Sequence, residues 1–234
     1  MTGASTGFGA RFARVLAEAG AQVYVTARRA DMLQAVADEI GGRAVPGDIT
    51  KAEDRDRLVA ATGDRVDILV NNAGIASGGR PEDFDPAEMS RMFEVNVVAP
   101  FALSQQFGRL MLARGSGSII NVSSVTALVS SPRGRSAAYS ASKAALLSLT
   151  RNLAVAWARK GVRVNALAPS WFPTEMTAMN TSNPAWLEQH NSFSPIGRMG
   201  KEDELDGALL FLASDLSSFV TGQAIVVDGG WSAI

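Results

Sequence analysis

Tyr139 and Lys143 stand four residues apart in the stretch Ala138-Tyr139-Ser140-Ala141-Ser142-Lys143. On a helix this spacing stacks a phenol beside an ammonium. A free phenol ionises near pH ~10, and a cation within roughly 4 to 6 Å favours its phenolate form. The spacing therefore predicts a tyrosine brought toward neutrality by its lysine, able to exchange a proton with an alcohol or a ketone. A second pattern opens the chain. Gly3, Gly7 and Gly9 lead into Phe8, Phe12, Val15, Leu16 and Ala19 at helical spacing. A tight glycine turn at a helix N-terminus presents N–H groups and the positive end of the helix dipole to a pyrophosphate. A dinucleotide site followed downstream by a proton donor suits redox chemistry on carbon.

Composition removes most alternatives. The chain has 234 residues, 47% hydrophobic and 19% charged, as expected of one domain with a full core. It contains no cysteine and a single histidine, His190. Thiolate catalysis and cysteine or histidine metal sites are thereby excluded, and no metal is expected. A net charge of −1 provides no electrostatic footprint for nucleic acid or an anionic membrane. No run of 18 apolar residues and no basic-plus-apolar leader is present, so the reading is cytoplasmic.

The elements that must position these residues alternate along the chain. Apolar runs at 22–26, 66–70, 118–122, 162–167 and 224–227 read as short buried strands. Helices lie between them. Thr50 with Glu53 forms a capping-box pattern, and Asp85-Pro86-Ala87-Glu88 supplies a cap, a first-turn proline and an N3 glutamate. Gly20 and Gly161 sit where helices should stop. This order predicts right-handed crossovers and a doubly wound, Rossmann-type α/β domain with a parallel sheet, spanning residues 1–234. The strand that should precede the glycine turn is missing, because only Met1 precedes Thr2. The expectation is that the natural polypeptide begins upstream, since an absent central strand would leave unpaired backbone on both neighbours.

Further motifs follow in order: Thr2-Gly3-x-x-x-Gly7-x-Gly9, Asp48, Asn71-Asn72-Ala73-Gly74, Asn96, Ser124, Tyr139-x-x-x-Lys143, Asn165-Ala166-x-Ala168-Pro169, Thr174 and Asp228-Gly229-Gly230. With these the chain resembles the short-chain dehydrogenase/reductase family over essentially its whole length. Among its members it is similar to 3-oxoacyl-ACP reductases and gluconate 5-dehydrogenases. The resemblance implies an NAD(P)-dependent oxidoreductase interconverting a secondary alcohol and a ketone. Tyr139 would be the general acid/base, Ser124 would hydrogen-bond the substrate oxygen, and Lys143 would lower the tyrosine pKa and hold the nicotinamide ribose. Asn96 would lie where the helix backbone holds a water linking Lys143 to solvent.

The same resemblance places the cofactor along the glycine turn, on Gly3, Ser5, Thr6, Gly7, Phe8 and Gly9. Asp48 and Ile49 would meet the adenine, Asn72, Ala73 and Gly74 the ribose side, and Pro169 and Thr174 the nicotinamide end. Cofactor choice turns on Val25-Thr26-Ala27-Arg28-Arg29. NAD users of the family commonly carry an acid where Ala27 stands, and Arg28 suits a 2′-phosphate, so NADP is favoured with NAD as the other option. The family's second basic residue, in the glycine turn, is replaced by Ser5 and Thr6.

Three departures bear on the substrate. Fifteen residues separate Ser124 from Tyr139 where the family commonly has thirteen; the extra length falls at 131–136, and Arg133 or Arg135 could meet an anionic substrate. Ser123 competes with Ser124 for the substrate contact. Pro169 is followed by Ser170 where family members often have glycine. Residues 171–194, with Phe172, Met176, Met179, Trp186 and Phe193, read as an apolar lid over the substrate. Apolar residues on several faces of the helix from 140 to 160, among them Leu146, Leu153, Val155 and Trp157, predict burial beyond its own sheet, and the family resemblance, whose members form dimers and tetramers through this helix, implies a homotetramer. A dinucleotide-binding protein without turnover, such as a redox sensor, is the alternative from another class.

Overall fold

The computed structural model describes residues 1–130, 134–178 and 182–233. Two parallel sheets lie side by side. One pairs β1 (Tyr24–Val25) with β2 (Arg43–Ala44), and the other has the order β3 (Ile68–Asn71), β4 (Gly117–Val122), β5 (Val162–Pro169), β6 (Ala224–Val227). Met1 and Thr2 join them. Thr26 N–H donates to Met1 O at 3.0 Å and Ala4 N–H to Thr26 O at 3.3 Å, while Thr2 N–H donates to Val70 O at 3.1 Å on the other side. Thr2 forms a parallel bridge with Thr26 in this central position.

Helices cover both faces, as a parallel sheet requires. α1 (Gly7–Glu18), α2 (Ala30–Glu39) and the late helix α8 (Asp206–Ala213) pack Phe12, Leu16, Leu33, Leu209 and Leu212 against one face. α3 (Ala52–Thr62) and α5 (Ala99–Arg114) bring Leu58, Leu103, Phe107 and Met111 to the other, where α6 (Ala137–Trp157) adds Ala154. The central strands β4 and β5 are buried almost throughout, which explains their continuous rather than alternating apolar pattern. The doubly wound α/β fold is therefore as expected.

Local signals fared unevenly. α4 (Pro86–Phe93) begins as predicted, with Asp85 accepting from Ala87 N–H at 2.8 Å. The capping box at Thr50 does not form. α3 starts at Ala52, and the Thr50 hydroxyl donates to Asp48 instead, at 2.8 Å. Strand β2 has no apolar run because it is two residues long at the sheet's edge. Between α4 and α5 the helix widens into a π-turn, Glu94–Val98, in which Ala99 N–H reaches back to Glu94 O. Asn96 lies in that turn, fully buried. A helix α7 (Pro184–Ser192), capped by Asn183, fills part of the segment after β5.

Candidate active site

The site lies at the carboxyl ends of the strands, where ligands bind in open α/β sheets. Its floor is the glycine turn, stitched to the end of β3. The Thr2 hydroxyl accepts from Asn72 N–H and Ala73 N–H, both at 3.0 Å. Asn72 Nδ2 donates to Thr2 O at 3.0 Å and to Gly3 O at 3.3 Å. This closeness demands glycine: a Cβ on Gly3 would stand 2.7 Å from Ala73 Cα, and one on Gly9 would stand 2.2 Å from Gly3 O. Gly7 opens α1 at φ +55, and Thr174 passes over it, its Cβ 3.6 Å from where a Gly7 side chain would begin. Thr6 is the N-cap but makes no side-chain cap bond. The N–H groups of the first turn are left for phosphate oxygens, which fits a dinucleotide.

Asp48, expected at the adenine, accepts from Thr50 N–H at 3.0 Å and from its hydroxyl at 2.8 Å. Burial pushes this carboxyl up, but the Thr50 bonds and the charges of Arg28 and Lys51 outweigh it and leave the pKa below the usual range. Arg28, whose charge acts on Asp48, is exposed. Arg29 takes a different position. Its guanidinium donates to Ser5 Oγ at 3.2 Å, to Thr6 Oγ1 at 2.7 Å and to both oxygens of Glu175 at 2.7 and 2.8 Å. The cation absent from the glycine turn is supplied by the neighbouring loop. The sequence signal was the second arginine of the pair, but no spacing rule connects residue 29 to residues 5, 6 and 175.

The reactive groups converge above β4 and β5. Ser124, the residue before a short 3₁₀ turn, stands near enough to Tyr139 on the first turn of α6 to act on the pKa of its phenol. Its Oγ also accepts from Thr126 N–H at 3.2 Å and the Thr126 hydroxyl at 3.0 Å. Lys143 is buried, donates to Val122 O at 2.8 Å, and has its Nζ 5.8 Å from the centre of the Tyr139 ring. The expected depression of the phenol pKa is not what this arrangement produces. Burial raises Tyr139 above its ordinary value and the Ser124 side chain offsets part of the rise, while burial lowers Lys143 to about 8. The ammonium is directed to a strand carbonyl, so its charge does not govern the phenol here.

Asn96 reaches the site through its side chain as well as through its π-turn. Its carboxamide bonds to the Ile75 peptide groups and to Ser142 Oγ. Gly74 lies between Asn96 and Lys143: a Cβ there would stand 3.2 Å from Asn96 Oδ1 and 3.3 Å from Lys143 Nζ. Of the two serines, Ser123 is engaged elsewhere, its Oγ donating to Lys143 O at 3.0 Å. Ser170 causes no distortion, since among the described residues no non-glycine residue has positive φ, and its N–H continues the ladder to Val227 O at 3.0 Å. Pro169 ends β5 beside it, buried.

Other expectations are only partly met. Arg133 and Met179 lie outside the described residues. Arg135 is exposed, and its carbonyl holds Gly79 N–H at 3.0 Å. Of the lid aromatics, Phe172 is buried against Phe8, and Trp186 stacks on His190 at 4.3 Å, with Trp171 and Trp231 around that histidine. These side chains hold the segment down, and a cavity of about 180 Å³ lies beneath it, lined by Trp171, Phe172, Met199 and Trp231. Among the described residues no group of acidic or histidine side chains is placed to hold a metal, and no helix is long and apolar enough to cross a membrane.

A glycine turn at a helix N-terminus, a phenol with a serine hydroxyl acting on it and a buried lysine at one sheet end define a dinucleotide-dependent oxidoreductase. Residues 3–232 match a family model described as Enoyl-(Acyl carrier protein) reductase. The chain is 38% identical to a galactitol 2-dehydrogenase (L-tagatose-forming) of Cereibacter sphaeroides, over 99% of this chain and 93% of that protein. It superposes with TM-score 0.92 on a gluconate 5-dehydrogenase from Burkholderia cenocepacia crystallised with NADP and tartrate, 36% identical, covering 100% of this chain and 94% of that one. A short-chain type dehydrogenase/reductase from Mycobacterium marinum is 38% identical, also at TM-score 0.92, with 100% and 94% covered. The chain belongs to the short-chain dehydrogenase/reductase family, and is an NAD(P)-dependent enzyme acting on CH–OH groups.

Proposed function

We propose that the enzyme interconverts a secondary alcohol and a ketone on a polyol or sugar acid, with NADP preferred. The observation that carries the chemistry is buried Lys143 with its Nζ 5.8 Å from the centre of the Tyr139 ring, the Ser124 side chain acting on the same phenol. The nicotinamide, when bound, supplies or accepts the hydride. In reduction the Tyr139 hydroxyl gives its proton to the substrate oxygen as negative charge develops there; in oxidation the phenolate takes the alcohol proton. The Ser124 hydroxyl, already beside the phenol, orients the same oxygen. Lys143, buried with its Nζ 5.8 Å from the phenol ring centre, would hold the nicotinamide ribose beside Tyr139. The π-turn around Asn96 stands behind Lys143 and is the route we assign to proton exchange with solvent. Asp48 and Ile49 take the adenine, Asn72, Ala73 and Gly74 the ribose side, and Pro169 and Thr174 the nicotinamide end.

The substrate class is supported by the names of the galactitol and gluconate dehydrogenases. The description of the family model favours a second reading, an acyl thioester substrate. One panel separates them: oxidation of NADPH and NADH with keto-sugar acids, keto-polyols and 3-oxoacyl thioesters. Turnover confined to the sugar-derived ketones and lost in Tyr139→Phe supports the proposal, whereas turnover confined to thioesters replaces it.

We also propose a homotetramer in the cytoplasm. Val155 of α6 is 84% exposed, and Leu216 and Phe219 near the C-terminus are 80% and 103% exposed, large apolar groups that a partner copy would cover. Light scattering on the eluted protein tests the assembly, and cell fractionation the compartment.

A further inference from the structure

The exposed ion pair between Arg29 and Glu175 has no role in the proton chemistry, yet it ties the cofactor loop to the segment following β5. Glu175 Oε1 accepts from Arg29 Nη1 at 2.7 Å. Its Oε2 accepts from Arg29 Nη2 at 2.8 Å and from Thr6 Oγ1 at 2.7 Å. Arg29 also reaches Ser5 Oγ through Nε and Nη2, at 3.3 and 3.2 Å. An anion is therefore held by a guanidinium fork and a hydroxyl, with a second hydroxyl adjacent. That is the donor set a phosphate group would use.

Its position identifies which phosphate. Arg29 follows Ala27 by two residues, and this end of β1 is where a dinucleotide fold reads the adenosine 2′ substituent. Ser5, the hydroxyl that Arg29 meets, lies in the glycine turn facing that end. We propose that Glu175 is an internal stand-in for the 2′-phosphate of NADP, and that this phosphate displaces it from Arg29, making the pair a determinant of cofactor choice. The inference rests on the NADP reading above.

Three physical features support exchange over a fixed structural bridge. The side chains are 45% and 59% exposed, so the pair is weak and its replacement by a phosphate costs little. The carboxylate is held at a pKa of about 2 by the Arg29 and Thr6 bonds, so it carries full charge at any working pH. Glu175 is next to Thr174, which lies over Gly7, so its release frees the chain at the nicotinamide end when the adenosine end is filled.

The test measures binding of 2′,5′-ADP and 5′-AMP by calorimetry, because these probes differ only in the 2′-phosphate and need no turnover. Glu175→Gln should tighten 2′,5′-ADP by about two- to five-fold, the range expected for losing an exposed ion-pair competitor, and leave 5′-AMP unchanged. Arg29→Gln should weaken 2′,5′-ADP by roughly ten-fold or more without affecting 5′-AMP. In the double variant the Glu175 substitution should have no effect. An unchanged or weaker affinity for 2′,5′-ADP in Glu175→Gln, or an equal gain for both probes, overturns the stand-in. A wild-type protein that binds 5′-AMP but gains nothing from the 2′-phosphate removes the NADP preference itself, and one that binds neither probe removes the dinucleotide reading with it.

Discussion

The carboxamide of Asn96 brackets Ile75, accepting from its N–H and donating to its carbonyl, each at 2.9 Å. The same Nδ2 donates to Ser142 Oγ at 3.0 Å, one residue before Lys143. A single buried amide in the π-turn thus fixes the end of β3, where Gly74 borders the site, to the helix that carries Tyr139 and Lys143. The π-turn places this side chain away from the register of a continuous α-helix.

Asn96→Asp keeps the size but replaces the donor with a second acceptor facing Ile75 O. We expect a loss of about 2–4 kcal/mol in unfolding free energy, from a buried group set against a carbonyl. Urea denaturation measures the loss, and kcat should fall more than cofactor affinity. An Asp variant as stable and active as the parent would show that the bracket does not position the site.

Tyr139→Phe removes the proton donor and leaves the ring in place. Turnover should drop by roughly 10²–10⁴-fold, the span of general acid–base catalysis, with dinucleotide binding retained. Ser124→Ala should fall within the lower part of the same range. Binding followed by nucleotide fluorescence separates lost chemistry from lost cofactor.

Burial lowers the Lys143 ammonium from 10.5 to about 8, equivalent to roughly 3 kcal/mol against the folded state while both states hold the proton. Below pH ~8 that penalty is complete. Between the two values the native state has released its proton and the unfolded chain has not, so stability rises with pH. The wild type should therefore gain stability relative to Lys143→Met between about pH 8 and 10.5, read from denaturation midpoints at several pH values. Parallel curves for the two proteins would contradict it.

Gly9→Ala forces a Cβ to 2.2 Å from Gly3 O and should cost several kcal/mol while abolishing dinucleotide binding. Gly41→Ala is the control: nothing lies within 4 Å, so only its φ of +61 is strained, at a cost of about 1 kcal/mol. Comparable melting of the two variants would mean the glycine turn relaxes more freely than its packing implies.

Much of this was legible in order along the chain. The buried strands were visible because a parallel sheet covered on both faces needs unbroken apolar runs, as in Ile119-Ile120 and Val162 to Leu167. The Tyr139–Lys143 pair was visible because helical spacing is a local rule. Thr50 misled for the same reason: its capping pattern with Glu53 was local, but Asp48 offered its hydroxyl a stronger, charged acceptor.

The sequence by itself determined the residue types and their separations within single elements: the glycine turn, the phenol and ammonium one helical turn apart, and a chain with no cysteine and a lone histidine. Tertiary structure alone decided which groups meet across elements. It directed Lys143 to the Val122 carbonyl, set Ser123 against the Lys143 carbonyl and Ser124 against the phenol, and brought Arg29 to residues 24 and 146 positions distant. Periodicity fixes which face of an element a side chain occupies. Its partner, its burial and therefore its proton affinity depend on how separate elements pack, and no local spacing encodes that.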